Sequence, residues 1–471
     1  MSLQFITGNS GNGKTKYLFN RIVKEAKANP RDNYLVIVPE QFTMQTQRQL
    51  VDLSENKAIM NIDVLSFKRL AYRVFDELGI TNLTVLEETG KNLVLRKLAA
   101  QEADKLGVIG RNLNRIGYIS EVKSLLSELV QYNISPEELG RYIASGRLSD
   151  TLSDKLKDVL VLYEAFEKFM QDKYITAEEI LNVLSNVAEE SAILRNSVIA
   201  FDEFTGFTPI QNQLIKKLFV ISKKIYVTLT IDCREDIFKS IGMQELFDMP
   251  KRTVKSLTEM AAFYGIEVEE PIILDKNYRL AENEELSFME QQLFRKRRCS
   301  LKKAPKHIHI DCLRDPKQEL TKIARRINEL VRNENLRYRD IAIVTGDVNI
   351  YAGYVREIFD KYNIPYFIDA TQEILFHPFI EFIRSIPDIA AQNFSADAVF
   401  RFLRCGFSEL LDSEIDVLEN YVLACGVRGK SAWDKKWVRL PKHKAGYDIE
   451  LLNQSREYIM GLLKPVYQVF S

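Results

Sequence analysis

Short apolar runs alternate with segments of helical period from the first residues of the chain. Leu3-Gln4-Phe5-Ile6 reads as a short strand, and Lys14 onward as a helix with Leu18, Ile22, Val23 and Ala26 on one face. Asn29-Pro30-Arg31-Asp32-Asn33 is a turn, and Leu35-Val36-Ile37-Val38 is too uniformly apolar for a half-exposed strand, so it predicts a buried one. Strand, loop, helix and buried strand make the opening βαβ unit of a parallel sheet.

Helical patterns then take over. Val122, Leu125, Leu126, Leu129 and Val130 share a face, as do Leu156, Val159, Leu160, Tyr163, Phe166 and Met170. Ser135-Pro136-Glu137-Glu138 and Thr176-Ala177-Glu178-Glu179 carry the signature of capped helix starts. Sheet patterns return with Val198-Ile199-Ala200-Phe201 and Val227-Thr228-Leu229-Thr230. Beyond a basic stretch (Arg295-Lys296-Arg297-Arg298, Lys302-Lys303), strands are expected at Ile308-His309-Ile310, Ile341 to Val344 and Ile364 to Ile368, with helices over Glu319–Asn333 and Tyr354–Tyr362. After Phe379 the pattern is again helical. The expected organisation is α/β: 1–86 and 191–298 as one sheet domain, 87–190 as a helical insertion, 299–386 as part of a second α/β domain, and 387–471 as the start of a second helical insertion.

The length of 471 residues supports this division, since about three units of ~150 residues are expected. Lys plus Arg equals Asp plus Glu at 65 each, so any nucleic-acid contact is expected from local patches or from a basic partner subunit rather than from bulk charge. The cysteines, at 233, 299, 312, 405 and 425, form no Cys-x-x-Cys pair, which argues against a disulfide framework or zinc ribbon and suits a reducing, cytoplasmic setting. No run of 18 apolar residues occurs, and the start lacks the basic and apolar regions of a signal peptide. The apolar ending Gly461 to Ser471 has the look of a cut inside a longer protein.

The chemistry concentrates at two strand ends. Gly8-Asn9-Ser10-Gly11-Asn12-Gly13-Lys14-Thr15 fits G-x-x-x-x-G-K-[ST] at every fixed position. In such a loop the glycines let backbone N–H groups converge on phosphate, the lysine reaches the outer phosphates and the hydroxyl ligates magnesium. The run Val198 to Phe201 ends in Asp202-Glu203, which supplies a carboxylate (Asp202) for the metal and a second (Glu203) to position or deprotonate an attacking water.

Asp202-Glu203-Phe204 with Gln211 resembles motif II of UvrD-like superfamily-one helicases. Val38-Pro39-Glu40-Gln41-Phe42 looks like the segment that family places beside single-stranded DNA, and Asn277-Tyr278-Arg279 like its fourth motif, whose arginine reaches the γ-phosphate across the cleft. More specifically, the chain resembles the AddB (or RexB) family, the second component of bacterial AddAB helicase–nucleases. The resemblance runs in register from Leu3 to about Ile386, through Val38 to Thr43, Phe204-Thr205-Gly206-Phe207-Thr208-Pro209, Arg337 to Ala342 and Ile364 to Asp369. It implies two RecA-like domains, ATP and magnesium as cofactors, an AddA-like motor subunit as partner, and double-strand DNA ends and single-stranded DNA as substrates. It further implies scanning for the Chi sequence with weak or no autonomous unwinding, and an iron–sulfur cluster only in a C-terminal part outside this chain. Gln41, Phe42 and Phe67 are the candidate DNA contacts, with core packing the alternative role for the two rings, and Glu203 and Arg279 the candidate catalytic residues. Two departures stand out. Only seven residues precede Gly8, where active motors carry an adenine-contact segment well before the loop, so that contact is not expected from this stretch. Ile231-Asp232-Cys233-Arg234 replaces the usual Gly-Asp-x-x-Gln of the third motif.

Overall fold

A computed structural model describes residues 1–81, 84–108, 116–145, 148–171, 174–295, 299–370, 374–441 and 447–470. The chain divides into two compact units, Met1–His309 and Ile310–Ser471.

The first unit is built on a seven-stranded parallel sheet. In chain order it contains β1 (Ser2–Gly8), α1 (Lys14–Ala28), β2 (Tyr34–Ile37), α2 (Thr43–Leu53), β3 (Ile62–Leu65) and α3 (Phe67–Leu78). There follow β4 (Val85–Leu86), α4 (Glu88–Gln101), α5 (Ile116–Gln131), α6 (Pro136–Ala144), α7 (Asp150–Met170), β5 (Ile175–Thr176) and α8 (Ile180–Val187). The sheet resumes with β6 (Val198–Phe201), α9 (Pro209–Ile221), β7 (Lys224–Thr230), α10 (Asp248–Phe263), β8 (Glu267–Val268) and β9 (Ile272–Leu274), and α11 (Glu284–Gln292) follows. The strand order is β3-β2-β6-β7-β1-β8, with β9 also on β1. β1 pairs with β7 from Ser2↔Lys224 to Gly8↔Thr230.

The period of two along each strand sorts the core into two layers. Leu3, Phe5, Leu35, Ile37, Ile199 and Phe201 face α3, α8, α9 and α10. Ile6, Tyr34, Val36, Val198 and Ala200 face α1 and α2. A sheet covered on both faces has apolar residues at nearly every strand position, which is why β2 and β6 lack alternation.

The insertion leaves the sheet domain at β4 and returns at β5, and these two strands pair with each other in parallel. Its helices α4 to α7 enclose a separate core around Leu95, Leu126, Leu162 and Phe166. Ser135 and Glu138 close a reciprocal capping box at α6, and Thr176 and Glu179 exchange the same pair of contacts ahead of α8. The helical stretch expected through residue 190 is therefore divided. Ile180 and Leu184 of α8 are buried in the sheet domain's core rather than in the insertion.

The second unit contains α12 (Pro316–Asn333) and α13 (Val348–Lys361), packed together through Leu320, Ala324, Ile358 and Phe359. Its helical part begins at α14 (Pro378–Ala391), ahead of the expected boundary at 387. His377 caps α14, its Nδ1 accepting the Phe379 N–H at 3.2 Å. α15 (Ala396–Leu403), α16 (Asp412–Cys425), α17 (Lys430–Asp434) and α18 (Ile449–Phe470) complete it around Trp433, Tyr421 and Phe402. The strands expected at Ile308–Ile310, Ile341–Val344 and Ile364–Ile368 are a correction: none joins a hydrogen-bonded ladder among the described residues. Val344 is 93% and Phe367 89% exposed. An apolar run becomes a strand only when a neighbour supplies the paired N–H and C=O groups, and here α12 and α13 supply only side chains.

Candidate functional site

Parallel sheets present ligands at the carboxyl ends of their strands, and the chemistry-bearing residues gather there. β1 ends at Gly8, the loop runs to Gly13, and α1 starts at Lys14 with no side-chain cap. Its first N–H groups are thus left for an anion, with the positive end of the helix dipole behind them. Gly11 (φ 88°) and Gly13 (φ 80°) take left-handed backbone that glycine adopts without strain. A Cβ on Gly11 would lie 2.8 Å from Cβ of Arg279 and from Oδ1 of Asn277, so the close packing there also requires glycine.

Lys14 Nζ donates to the carbonyls of Gly8 (3.0 Å) and Asn9 (3.1 Å). Burial lowers its pKa, opposed by the charges of Glu203 and Asp202. Thr15 Oγ1 lies 3.3 Å from Asp202 Oδ1 and 3.3 Å from Glu203 Oε1. Asp202 follows β6 and is 1% exposed. The hydroxyl of Thr228 donates to its Oδ1, while its Oδ2 is buried without a hydrogen-bond partner among the described residues. Burial, reinforced by the charge of Glu203, pushes the Asp202 carboxyl up to about 6 despite the Thr228 and Thr15 hydroxyls. An orphaned buried carboxylate oxygen is costly unless a cation or ordered water completes it. A hydroxyl, a carboxylate and phosphate oxygens are the ligands magnesium takes. Thr15 and Asp202 therefore fit that ion.

Glu203 is exposed and sits at φ 63°. Left-handed backbone costs a non-glycine residue ~1–2 kcal/mol, and strain of this kind concentrates at functional sites.

The segment Asn277 to Arg279 lies against the outside of the same loop, within the first unit. The N–H groups of Tyr278 (3.0 Å) and Arg279 (3.4 Å) donate to the Gly11 carbonyl, Asn277 Nδ2 to the Ser10 carbonyl (2.9 Å), and Arg279 Nη1 to Ser10 Oγ (3.4 Å). A cavity of about 760 Å³ joins the parts: Lys14, Thr15, Asp202, Glu203, Tyr278 and Arg279 line it, and it continues to Phe42, just before α2, and to Gln45 of α2.

Other expectations change on inspection. Gln211 closes a capping box with Thr208 at the start of α9, accepting the Thr208 N–H at 2.9 Å. Gln41 is exposed in the turn after β2, and Phe42 is half-buried. Phe67 is a correction. It is 7% exposed, its ring packed against Phe201, Phe204 and Phe207 at centroid distances of 5.6–6.4 Å, so it offers no face to a base. Of the basic run, Arg295 pairs with Asp232 (2.7 Å), and 296–298 lie outside the described residues. Asp232 is held by both Arg234 and Arg295. Burial works against its charge, but the Arg234 contacts win and bring its carboxyl down to about 2. Thr228 is a site residue that the sequence reading passed over. The signal was a hydroxyl between Val227 and Leu229, within the buried part of β7.

Residues 5–290 match the family model described as "ADDB, N-terminal". The chain belongs to this family. It is 38% identical over 478 aligned residues to the B subunit of the ATP-dependent helicase/deoxyribonuclease of Lachnoclostridium phytofermentans, covering 100% of this chain and 41% of that protein. Proteins of the same description from Clostridium tetani and Caldanaerobacter subterraneus are each 33% identical, again over 100% of this chain and 41% of theirs. The chain thus spans about two fifths of the length of these relatives.

Proposed function

We propose that this chain supplies the nucleotide-binding, helicase-like part of the B subunit of an ATP-dependent helicase/deoxyribonuclease acting on double-strand DNA ends in recombinational repair. The observation that carries the reading is the buried Asp202 Oδ2, without a hydrogen-bond partner among the described residues, beside Thr15 and Lys14 at the end of a parallel sheet. ATP is bound by the loop Gly8 to Thr15, with Lys14 leaving the Gly8 and Asn9 carbonyls to meet the outer phosphates. Magnesium, held by Thr15 and Asp202, offsets the charge of the phosphates when bound. Arg279, on the wall of the same cavity, adds positive charge at the phosphate end.

DNA passes over the exposed turn at Gln41 and the edge of Phe42, with an AddA-like motor subunit as partner in the cytoplasm. No helix among the described residues is long and apolar enough to cross a membrane. The test is calorimetric titration of ATP with and without magnesium, in parallel with Lys14→Ala. Magnesium-dependent binding in the native chain, lost in the variant, supports the reading; equal binding in both contradicts it.

A second reading, an autonomous ATP-driven translocase, draws on Glu203. A carboxylate is retained there in left-handed backbone, next to Thr15, where glycine would fit without strain. DNA-stimulated turnover by the isolated chain that Glu203→Gln abolishes would establish it. Absence of turnover leaves the chain as a nucleotide-binding, DNA-scanning part whose partner supplies the motor.

A further inference from the structure

The second residue of the phosphate loop is tied to a helix with no evident part in nucleotide binding. Asn9 is 5% exposed. Its Oδ1 accepts the Cys233 N–H at 2.9 Å, and its Nδ2 donates to Glu290 Oε1 of α11 at 2.7 Å. At the other end of α11, Glu285 accepts two backbone N–H groups, from Lys306 (2.7 Å) and His307 (2.8 Å). These two residues lie just before the first unit ends at His309. Arg234 adds a bond to the Gln291 carbonyl (3.2 Å) while gripping Asp232 at the end of β7.

None of the nine residues of α11 is buried. A helix without a buried face is held to its unit by contacts such as these, and segments poor in buried apolar contacts move at low cost. The loop end of the chain of contacts has a reason to move. Lys14 Nζ shares the Asn9 carbonyl with the Asn12 N–H (3.2 Å), and a bound phosphate would draw the ammonium away. The Asn9 carbonyl would then keep only the Asn12 N–H, which lets the Asn9 peptide shift, and the side chain of the same residue grips α11.

We propose that Glu290 is a positioning residue and α11 a strut that carries the nucleotide state of the loop to the backbone at Lys306–His307, where the chain leaves the first unit. This rests on the nucleotide reading above. Occupancy shifts Asn9, Glu290 follows, and Glu285, five residues earlier on the same helix, transfers the shift to its two N–H donors.

The test is amide hydrogen exchange at Lys306 and His307 in the 471-residue chain, with and without magnesium and ATP, beside a calorimetric ATP titration of each variant. In the native chain ATP should slow exchange at these amides at least threefold. Glu290→Ala should bind ATP within about threefold of native affinity yet lose the exchange response, while Glu290→Gln, which keeps an acceptor for Asn9 Nδ2, should retain it. A helix that is merely structural would give the same response in both variants. ATP that binds without altering exchange at 306–307 overturns the strut alone. A response that persists in Glu290→Ala also overturns it and puts the coupling through Asn277–Arg279. Failure of the native chain to bind ATP overturns the nucleotide reading and the strut with it.

Discussion

The sheet of the first unit and the part of the second around α12 and α13 begin from the same kind of sequence and reach different ends. Leu35–Val38 and Ile341–Val344 are both four-residue apolar runs beside amphipathic helices. In the first, every residue is buried and β2 is paired on both sides, to β3 and β6. In the second, no ladder forms among the described residues and Val344 stands exposed. The difference teaches that apolarity sets a segment's tendency to be buried, while strand formation depends on a neighbour that can come from anywhere in the chain. The same contrast separates the chemistry. The paired strands β1, β6 and β7 bring the loop that begins at Gly8 beside Asp202 and Thr228, which lie roughly 200 residues further along the chain. Among the described residues, the unpaired runs bring no cluster of phosphate- or metal-binding side chains together.

The sharpest way to break this comparison is to truncate one side chain in each region. Phe5→Ala in β1, fully buried, should destabilise the first unit by about 3–5 kcal/mol. Val344→Ala should change the second by less than about 0.5 kcal/mol. Denaturant dependence of hydrogen exchange, read separately for peptides of each unit, measures both. A large loss at Val344 would mean that the run is packed in solution. Phe67→Ala tests the aromatic cluster in the same way, with an expected loss of about 3 kcal/mol in stability. If stability holds while DNA binding falls, Phe67 is a DNA contact after all.

The Asp202 carboxyl offers a pH test of the paired region. Its folded pKa, near 6, lies above the ordinary value of 3.8. The folded state therefore binds the proton more tightly, and without metal, stability should fall as pH rises from about 4 to 6 and then level off. Magnesium requires the ionised form, so magnesium-dependent ATP affinity should rise through the same window and flatten above pH 6–7. Asp202→Asn should abolish both trends. A smaller effect is expected at Glu203. Glu203→Gly relieves the left-handed backbone and should stabilise the first unit by up to about 1 kcal/mol. ATP affinity should change little, and any turnover should vanish.

Much of the first unit was legible because its signals are local. The glycine and lysine spacing, the strand ending in two carboxylates, and the capping residues at Ser135 and Thr176 each act over a few residues. What sequence reading missed depends on pairing across long separations. Which rings seal Phe67, those of Phe201, Phe204 and Phe207, follows from the α3 packing against β6, not from its neighbours in sequence. That α8 would join the sheet domain's core follows from where β5 returns the chain. The contacts of Asn277–Arg279 with the loop required β9 to lie beside β1. The capping of α9 by Gln211 is the reverse case, a local signal that the motif resemblance had concealed.

The central claim is that the loop Gly8 to Thr15 is a working nucleotide site in this chain. A calorimetric titration of ATP with magnesium, in the native chain and in Lys14→Ala, measures it directly. Loss of the charged contacts of Lys14, at ~1.5–3 kcal/mol for each such hydrogen bond, should weaken binding by about a hundredfold. Equal affinity in the two proteins, or no binding by the native chain, would contradict the account.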